Sequence, residues 1–182
     1  METIALFGGS FDPPHIAHEM IVEEALKIEG VDKVVIMPTY LNPFKSSFHA
    51  PATLRLHWLK SIFASQKNVE VSSYEVDKKR KVPSIESVKH LLKRYEKIYL
   101  IIGADNLKSL HKWKDYNELK NLVQFVVASR DTIEIPNTFL QIKVQEDISS
   151  TELRNNMDVS RLSPLVSDEI KNFIQNKNIK RK

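Results

Sequence analysis

The chain has 182 residues, no cysteine and four glycines, where average usage of about 7% would give about thirteen. The lack of cysteine excludes a disulfide framework, a Cys-based zinc site and a thiol nucleophile, and fits a reducing compartment. Net charge is +4, from 27 basic and 23 acidic residues; four of the basic residues (Lys177, Lys180, Arg181 and Lys182) fall in the last six positions. The rest of the chain is therefore balanced, which argues against a general nucleic-acid-binding surface and makes 177–182 read as a solvated, frayed tail.

Length predicts one domain over 1–182, large enough to fold without a disulfide or metal staple. The Met-Glu-Thr start lacks a basic region followed by a long apolar stretch, and no run approaches the roughly 18 apolar residues of a membrane span. A soluble, cytoplasmic protein with no membrane partner is expected.

In chain order, a strand-like run at Ile4 to Phe7 leads into a glycine pair and then a helical stripe at Ala17, Met20, Ile21, Ala25 and Ile28. Gly30 reads as a helix stop. A second strand is predicted at Val34 to Met37, a second helical stripe at Leu54, Trp58, Leu59 and Ile62, and a third strand at Val69 to Val71. Ile85, Val88, Leu91, Leu92 and Tyr95 mark a third helix; strands follow at Ile98 to Ile102, Leu122 to Ala128 and Leu140 to Val144. Helices are predicted at Thr151 to Asn156 and Pro164 to Asn176, with no strand after Val144. The runs are rich in Ile, Val, Tyr and Phe and mostly lack polar alternation, as strands covered on both faces do. Alternating with helices, they predict βαβ units and a parallel sheet with right-handed crossovers. The expected fold is α/β, a Rossmann-like doubly wound parallel sheet with a small C-terminal helical part, with ligands beyond the carboxyl ends of the strands.

Half of the glycines sit in Gly8-Gly9-Ser10-Phe11-Asp12-Pro13-Pro14-His15-Ile16-Ala17-His18, directly after the first strand. Paired glycines allow a sharp turn and close approach of a ligand to the backbone. Pro14 suits a helix start, whose free amides and dipole hold anions. His15 and His18 are spaced to share one face if both lie in the first turn. Glycines there also suit a plain turn, and such a His pair can cap, pack or ligate a metal, though no third ligand stands nearby. The segment is neither the Walker pattern nor Gly-x-Gly-x-x-Gly. A second segment, Ile148-Ser149-Ser150-Thr151-Glu152-Leu153-Arg154, contains a plausible capping box at Ser149 and Glu152. Its adjacent hydroxyls and Arg154 also suit a polyphosphate.

Gly-Gly-Ser-Phe-Asp-Pro-x-His-x-x-His resembles the signature of the nucleotidyltransferases related to class I aminoacyl-tRNA synthetases, and the Ser149 to Arg154 segment resembles their second phosphate-binding motif. More closely, the chain resembles the bacterial nicotinate-nucleotide adenylyltransferase family, from about Thr3 to the C-terminal helix. The landmarks are Pro38-Thr39-Tyr40-Leu41-Asn42-Pro43-Phe44-Lys45, Pro83-Ser84-Ile85-Glu86, Gly103-Ala104-Asp105 with the downstream Lys112-Trp113, and Arg130 after the fifth strand.

The resemblance implies adenylyl transfer from ATP to nicotinate mononucleotide, giving nicotinate adenine dinucleotide and pyrophosphate, with Mg²⁺ carried largely by ATP and no dedicated metal site. It implies ATP binding by Gly8, Gly9, Ser10, Phe11, His15, His18, Gly103, Asp105, Ser149, Ser150, Thr151 and Arg154, with His15, His18 and Arg154 catalytic. For the acceptor it implies Lys45, Ser84, Ile85, Trp113, Lys114 and Arg130: Trp113 stacking on the pyridine ring, main-chain amides near Ile85 and Lys114 holding its carboxylate. Read alone, Trp113 also suits a core position, Asp105 a helix cap, and Lys45 and Arg130 the solvated surface. Four positions depart from the family pattern: Ala17 where glycine is frequent, Phe44 where histidine is frequent, and Ile85-Glu86 where Tyr-Thr is usual. The ATP-end motifs are shared with adenylyltransferases acting on nicotinamide mononucleotide or phosphopantetheine, and a non-catalytic nucleotide- or RNA-binding protein of the same fold is a further alternative.

Overall fold

Along each central strand, alternate side chains feed two different cores. Ala5 and Phe7, Val34 and Ile36, Tyr99 and Ile101 join one core, while Ile4 and Leu6, Val35 and Met37, Leu100 and Ile102 join the other. Covering on both faces is why these strands lack polar alternation.

The computed structural model describes residues 1–129, 133–145, 148–156 and 158–179. Its strands are β1 (Thr3–Gly9), β2 (Lys33–Pro38), β3 (Val69–Val71), β4 (Lys97–Gly103), β5 (Gln124–Ser129) and β6 (Leu140–Lys143). All pair in parallel in the order β3-β2-β1-β4-β5-β6, that of a Rossmann-type doubly wound sheet. The order reverses between β1 and β4, so the crevice lies beyond Gly8, Gly9 and Gly103.

The helices are α1 (Ile16–Ala25), α2 (Ala52–Phe63), α3 (Tyr74–Lys78), α4 (Ser84–Leu91), α5 (Tyr116–Leu122), α6 (Ser150–Asn156) and α7 (Ser167–Ile179), with a 3-10 helix at Ala104–Lys112. One face is covered by α1, α2 and the C-terminal helices through Val22, Trp58, Leu59, Leu153, Ile170 and Ile174. The other is covered by α4, the 3-10 helix and α5 through Val88, Leu91, Leu110 and Leu119.

Three of the differences from the sequence reading have a visible cause. β5 starts at Gln124 because Leu122 closes α5 instead of opening the strand. α7 starts at Ser167 because Pro164 to Val166 form a turn in which the Val166 amide donates to the Ser163 carbonyl. Lys177, expected in a frayed tail, lies in α7 and donates to the His49 carbonyl. No helix among the described residues is long and apolar enough to cross a membrane.

Candidate active site

The glycine-rich loop carries β1 into α1, and its geometry is held by aromatic rings and by one buried arginine. Phe11 adopts a left-handed φ of 48°; its buried ring meets Phe7 edge-on at 5.1 Å and His18 at 4.8 Å. A side chain at Gly9 would stand 3.2 Å from that ring, so glycine gives it room. Arg55, on α2 and 1% exposed, donates to the Ala50 carbonyl at 3.0 Å and to the Thr39 and Tyr40 carbonyls at 2.8 and 2.9 Å. It also donates to the Ser10 carbonyl, so one guanidinium ties the glycine loop, the loop after β2 and the start of α2 together. Burial pulls its pKa down and the Asp12 charge pushes it back up. The Asp12 carboxylate accepts the His49 and Ala50 amides at 2.6 and 2.8 Å.

His15 is the N-cap of α1 and His18 its third residue, one residue off the shared first turn expected. Their rings stack with centroids 3.7 Å apart. The His15 amide donates to His18 Nδ1 at 3.1 Å; an accepting Nδ1 assigns the proton of neutral His18 to Nε2, making that nitrogen a donor.

A cavity of 510 Å³ opens beyond the strand ends, within the ordinary range for a small-molecule site. At one end its wall contains Gly8, Gly9, Ser10, Phe11, His15 and His18, joined by Ser150 from the start of α6. Gly103 and Asp105 lie on the β4 side; a side chain at Gly103 would collide with Asp105 Oδ1. At the other end stand Lys45 and Phe44 from the loop after β2, Glu75, Ser84, Trp113 and Lys114. Phe44 is exposed at 62%; Trp113 is half-buried and also packs on the second core.

Other expected site residues take different places. Ser149 Oγ accepts the Glu152 amide at 3.1 Å, the helix-cap half of the capping box. Ser150 Oγ donates to the Pro13 carbonyl at 2.8 Å. Arg154 donates to the Asp12 carbonyl and, at 3.1 Å, to Thr151 Oγ1. Ser149, Thr151 and Arg154 are thus absent from the cavity wall: the second motif is sewn to the first through Asp12 and Pro13. The Ile85 side chain is buried in the second core and Ile85 too is absent from the cavity wall; what the start of α4 offers is its first amides, which lack intrahelical acceptors. Arg130 lies outside the described residues.

Sequence reading missed Arg55 and Glu75. Arg55 had a signal: it falls in phase with Trp58, Leu59 and Ile62 on the buried stripe of α2. Glu75 had none, since α3 spans only five residues. Among the described residues no group of three or more His, Cys, Asp or Glu could hold a metal ion.

A glycine-rich loop at the switch point, paired histidines at a helix start, and lysines on the wall of the same cavity suit a nucleotide and its phosphates. Residues 6–156 match the cytidylyltransferase-like family model, and the chain belongs to that family. Within it, the chain belongs with the nicotinate-nucleotide adenylyltransferases. It is 57% identical over 180 residues to a Sulfurimonas denitrificans protein named "Probable nicotinate-nucleotide adenylyltransferase", covering 99% of both chains. A Nitratiruptor sp. protein of the same name is 51% identical, covering 93% of this chain and 97% of that one. Among solved structures, the Plasmodium falciparum nicotinic acid mononucleotide adenylyltransferase complexed with NaAD superposes with a TM-score of 0.77. It is 19% identical over 98% of this chain and 97% of that one, a likeness of fold.

Proposed function

We propose that the chain transfers the adenylyl group of ATP to nicotinate mononucleotide, giving nicotinate adenine dinucleotide and pyrophosphate, a step of NAD biosynthesis. The observation that carries this is the single cavity whose two ends differ: backbone glycines and imidazoles at one, Lys45, Ser84, Trp113 and Lys114 at the other. The names of the relatives agree with it.

In this reaction an oxygen of the acceptor's 5′-phosphate attacks the α-phosphorus of ATP, the bond to the bridging oxygen breaks, and pyrophosphate leaves. The attacking phosphate is already ionised, so the protein needs no strong base and no covalent nucleophile. Its work is to hold two polyanions in line and to meet the charge that develops. Orientation of this kind is worth about 7 to 11 kcal/mol in good cases. In this reading the Gly9 and Ser10 backbone and the His18 Nε2–H donor stabilise the α-phosphate region. Arg154 acts one step back, holding the Asp12 carbonyl and with it the loop. Trp113 offers its ring to the pyridine, and the α4 amides at Ser84 and Ile85 receive the carboxylate. Mg²⁺ entering with ATP would supply neutralisation of the phosphate charge, and the reading asks for no carboxylate cage from the protein.

The test is incubation with ATP and nicotinate mononucleotide: the dinucleotide and pyrophosphate should form in equal amounts, and neither without the acceptor. Pyrophosphate release independent of acceptor would overturn the reading.

A further inference from the structure

Glu75 is a carboxyl that the mechanism above leaves unused. It is 6% exposed, it belongs to the cavity wall together with Val82, Pro83 and Ser84, and it sits on α3 against the first turn of α4. Its Oε1 accepts from Ser87 Oγ at 2.6 Å, while its Oε2 is buried with no hydrogen-bond partner. A buried ionised carboxylate without a cation is costly, and among the described residues no cation bonds to this one. On α4 the nearest charge is Glu86, of the same sign, and Glu86 is itself taken by Arg80 at 2.6 Å. On its own helix Asp77 accepts from Ser73 and Lys78 lies over the ring of the neutral Tyr74. From α2, Arg55 is taken up by backbone carbonyls. Lys45, Lys112 and Lys114 share the cavity wall but are exposed. Burial pushes the Glu75 carboxyl up to about 7, with Glu86 adding to the rise and the Ser87 hydroxyl opposing it.

The first amides of α4, at Ser84 and Ile85, are where the proposed function seats the acceptor's carboxylate. An acceptor carboxylate at Ser84 shares the first turn of α4 with Glu75, which is bonded to Ser87 and, among the described residues, to no cation, so the two cannot both ionise cheaply. We infer that Glu75 is a positioning residue that links acceptor binding to a proton: an acceptor bearing an acidic pyridine substituent binds the form in which the Glu75 carboxyl is protonated. Binding to the ionised form takes up one proton from solvent onto Glu75. An acceptor with a neutral carboxamide carries no such requirement. The inference rests on nicotinate mononucleotide being the acceptor.

The experiment measures KM for nicotinate mononucleotide in the wild type and in Glu75→Gln from pH 6 to pH 8, with kcat and the ATP KM alongside. The glutamine keeps the size and the acceptor for Ser87 but cannot ionise. With a midpoint of about 7, the ratio of wild-type KM to variant KM should rise about tenfold across this range, with the ATP KM ratio flat. Taking a ratio cancels the titration of the substrate's own phosphate, which both enzymes meet equally. A second variant, Ser87→Ala, removes the hydroxyl that favours the ionised form and should move the KM rise to higher pH. If the wild type transfers to nicotinate mononucleotide but its KM ratio is flat, or Ser87→Ala leaves the curve in place, the inference fails while the function stands. If the wild type does not transfer at any pH, the functional reading fails and this inference with it.

Discussion

Replacing Arg55 by alanine removes a buried guanidinium whose four donations reach Ser10, Thr39, Tyr40 and Ala50. Hydrogen bonds to a charged group are each worth about 1.5 to 3 kcal/mol, but a simple sum overshoots, because burying the cation already cost desolvation, as its lowered pKa records. Truncating one partner of a buried charged network typically costs about 3 to 5 kcal/mol. We take about 4 kcal/mol, since the carbonyls of Thr39 and Ala50 stay buried and Asp12 loses its nearby cation. For a chain of this size that is a fall of roughly 8 to 16 °C in Tm, read by thermal unfolding with urea denaturation alongside. Arg55→Lys keeps the charge but cannot span four carbonyls, and should lose about half as much. In the folded fraction the ATP KM should rise, because the Ser10 end of the glycine loop is no longer held. A loss below about 1 kcal/mol, with the ATP KM unchanged, would mean that the three segments are fixed independently and would refute the clamp.

Three further outcomes are expected. His18→Ala should lower kcat by roughly 100- to 1,000-fold, as for loss of one oriented donor, with the fold intact by circular dichroism; near-normal turnover would remove Nε2 from the mechanism. Trp113→Ala should raise the nicotinate mononucleotide KM about two- to tenfold, as for loss of a stacked aromatic contact worth about 0.5 to 1.5 kcal/mol, leaving the ATP KM alone; an unchanged acceptor KM would make its packing on the second core its whole role. Glu75 also governs stability. Its folded pKa of about 7 lies above its ordinary 4.5, so the folded state holds the extra proton and stability falls as pH rises from about 4.5 through 7. Glu75→Gln should therefore gain on the wild type by about 3 kcal/mol between pH 4.5 and 8, measured by urea denaturation, and a constant difference would contradict the buried-carboxyl assignment.

The sheet was legible because its strands are covered on both faces, so Ile4 to Phe7 or Ile98 to Ile102 read as unbroken apolar runs. The helices that stayed hidden are those without a 3.6-residue stripe. Tyr74–Lys78 is five residues, Tyr116–Leu122 is seven with Leu119 alone buried, and Ala104–Lys112 is a 3-10 helix whose three-residue period places polar residues where an α-helix would bury them. Within the site, the glycines and histidines were legible because a strand end must turn and a helix start must offer donors there. At Gly103 the structure adds that the exposed Asp105 carboxylate stands in the space a side chain there would take. Arg154 was legible as a cation of the second motif, but its partner was not: a sequence cannot reveal that the Asp12 carbonyl, 142 positions away, waits for it. Glu75 carries the same lesson, since only tertiary burial turns an ordinary glutamate on a short helix into an uncompensated carboxyl.

The most direct measurement is kcat/KM for adenylyl transfer from ATP to nicotinate mononucleotide, nicotinamide mononucleotide and phosphopantetheine, side by side, followed by pyrophosphate release. The proposed site predicts nicotinate mononucleotide as the preferred acceptor, with Trp113→Ala narrowing its lead over nicotinamide mononucleotide little, because the ring is common to both. A preference for phosphopantetheine, or equal rates with all three, would contradict the assignment of the second end of the cavity.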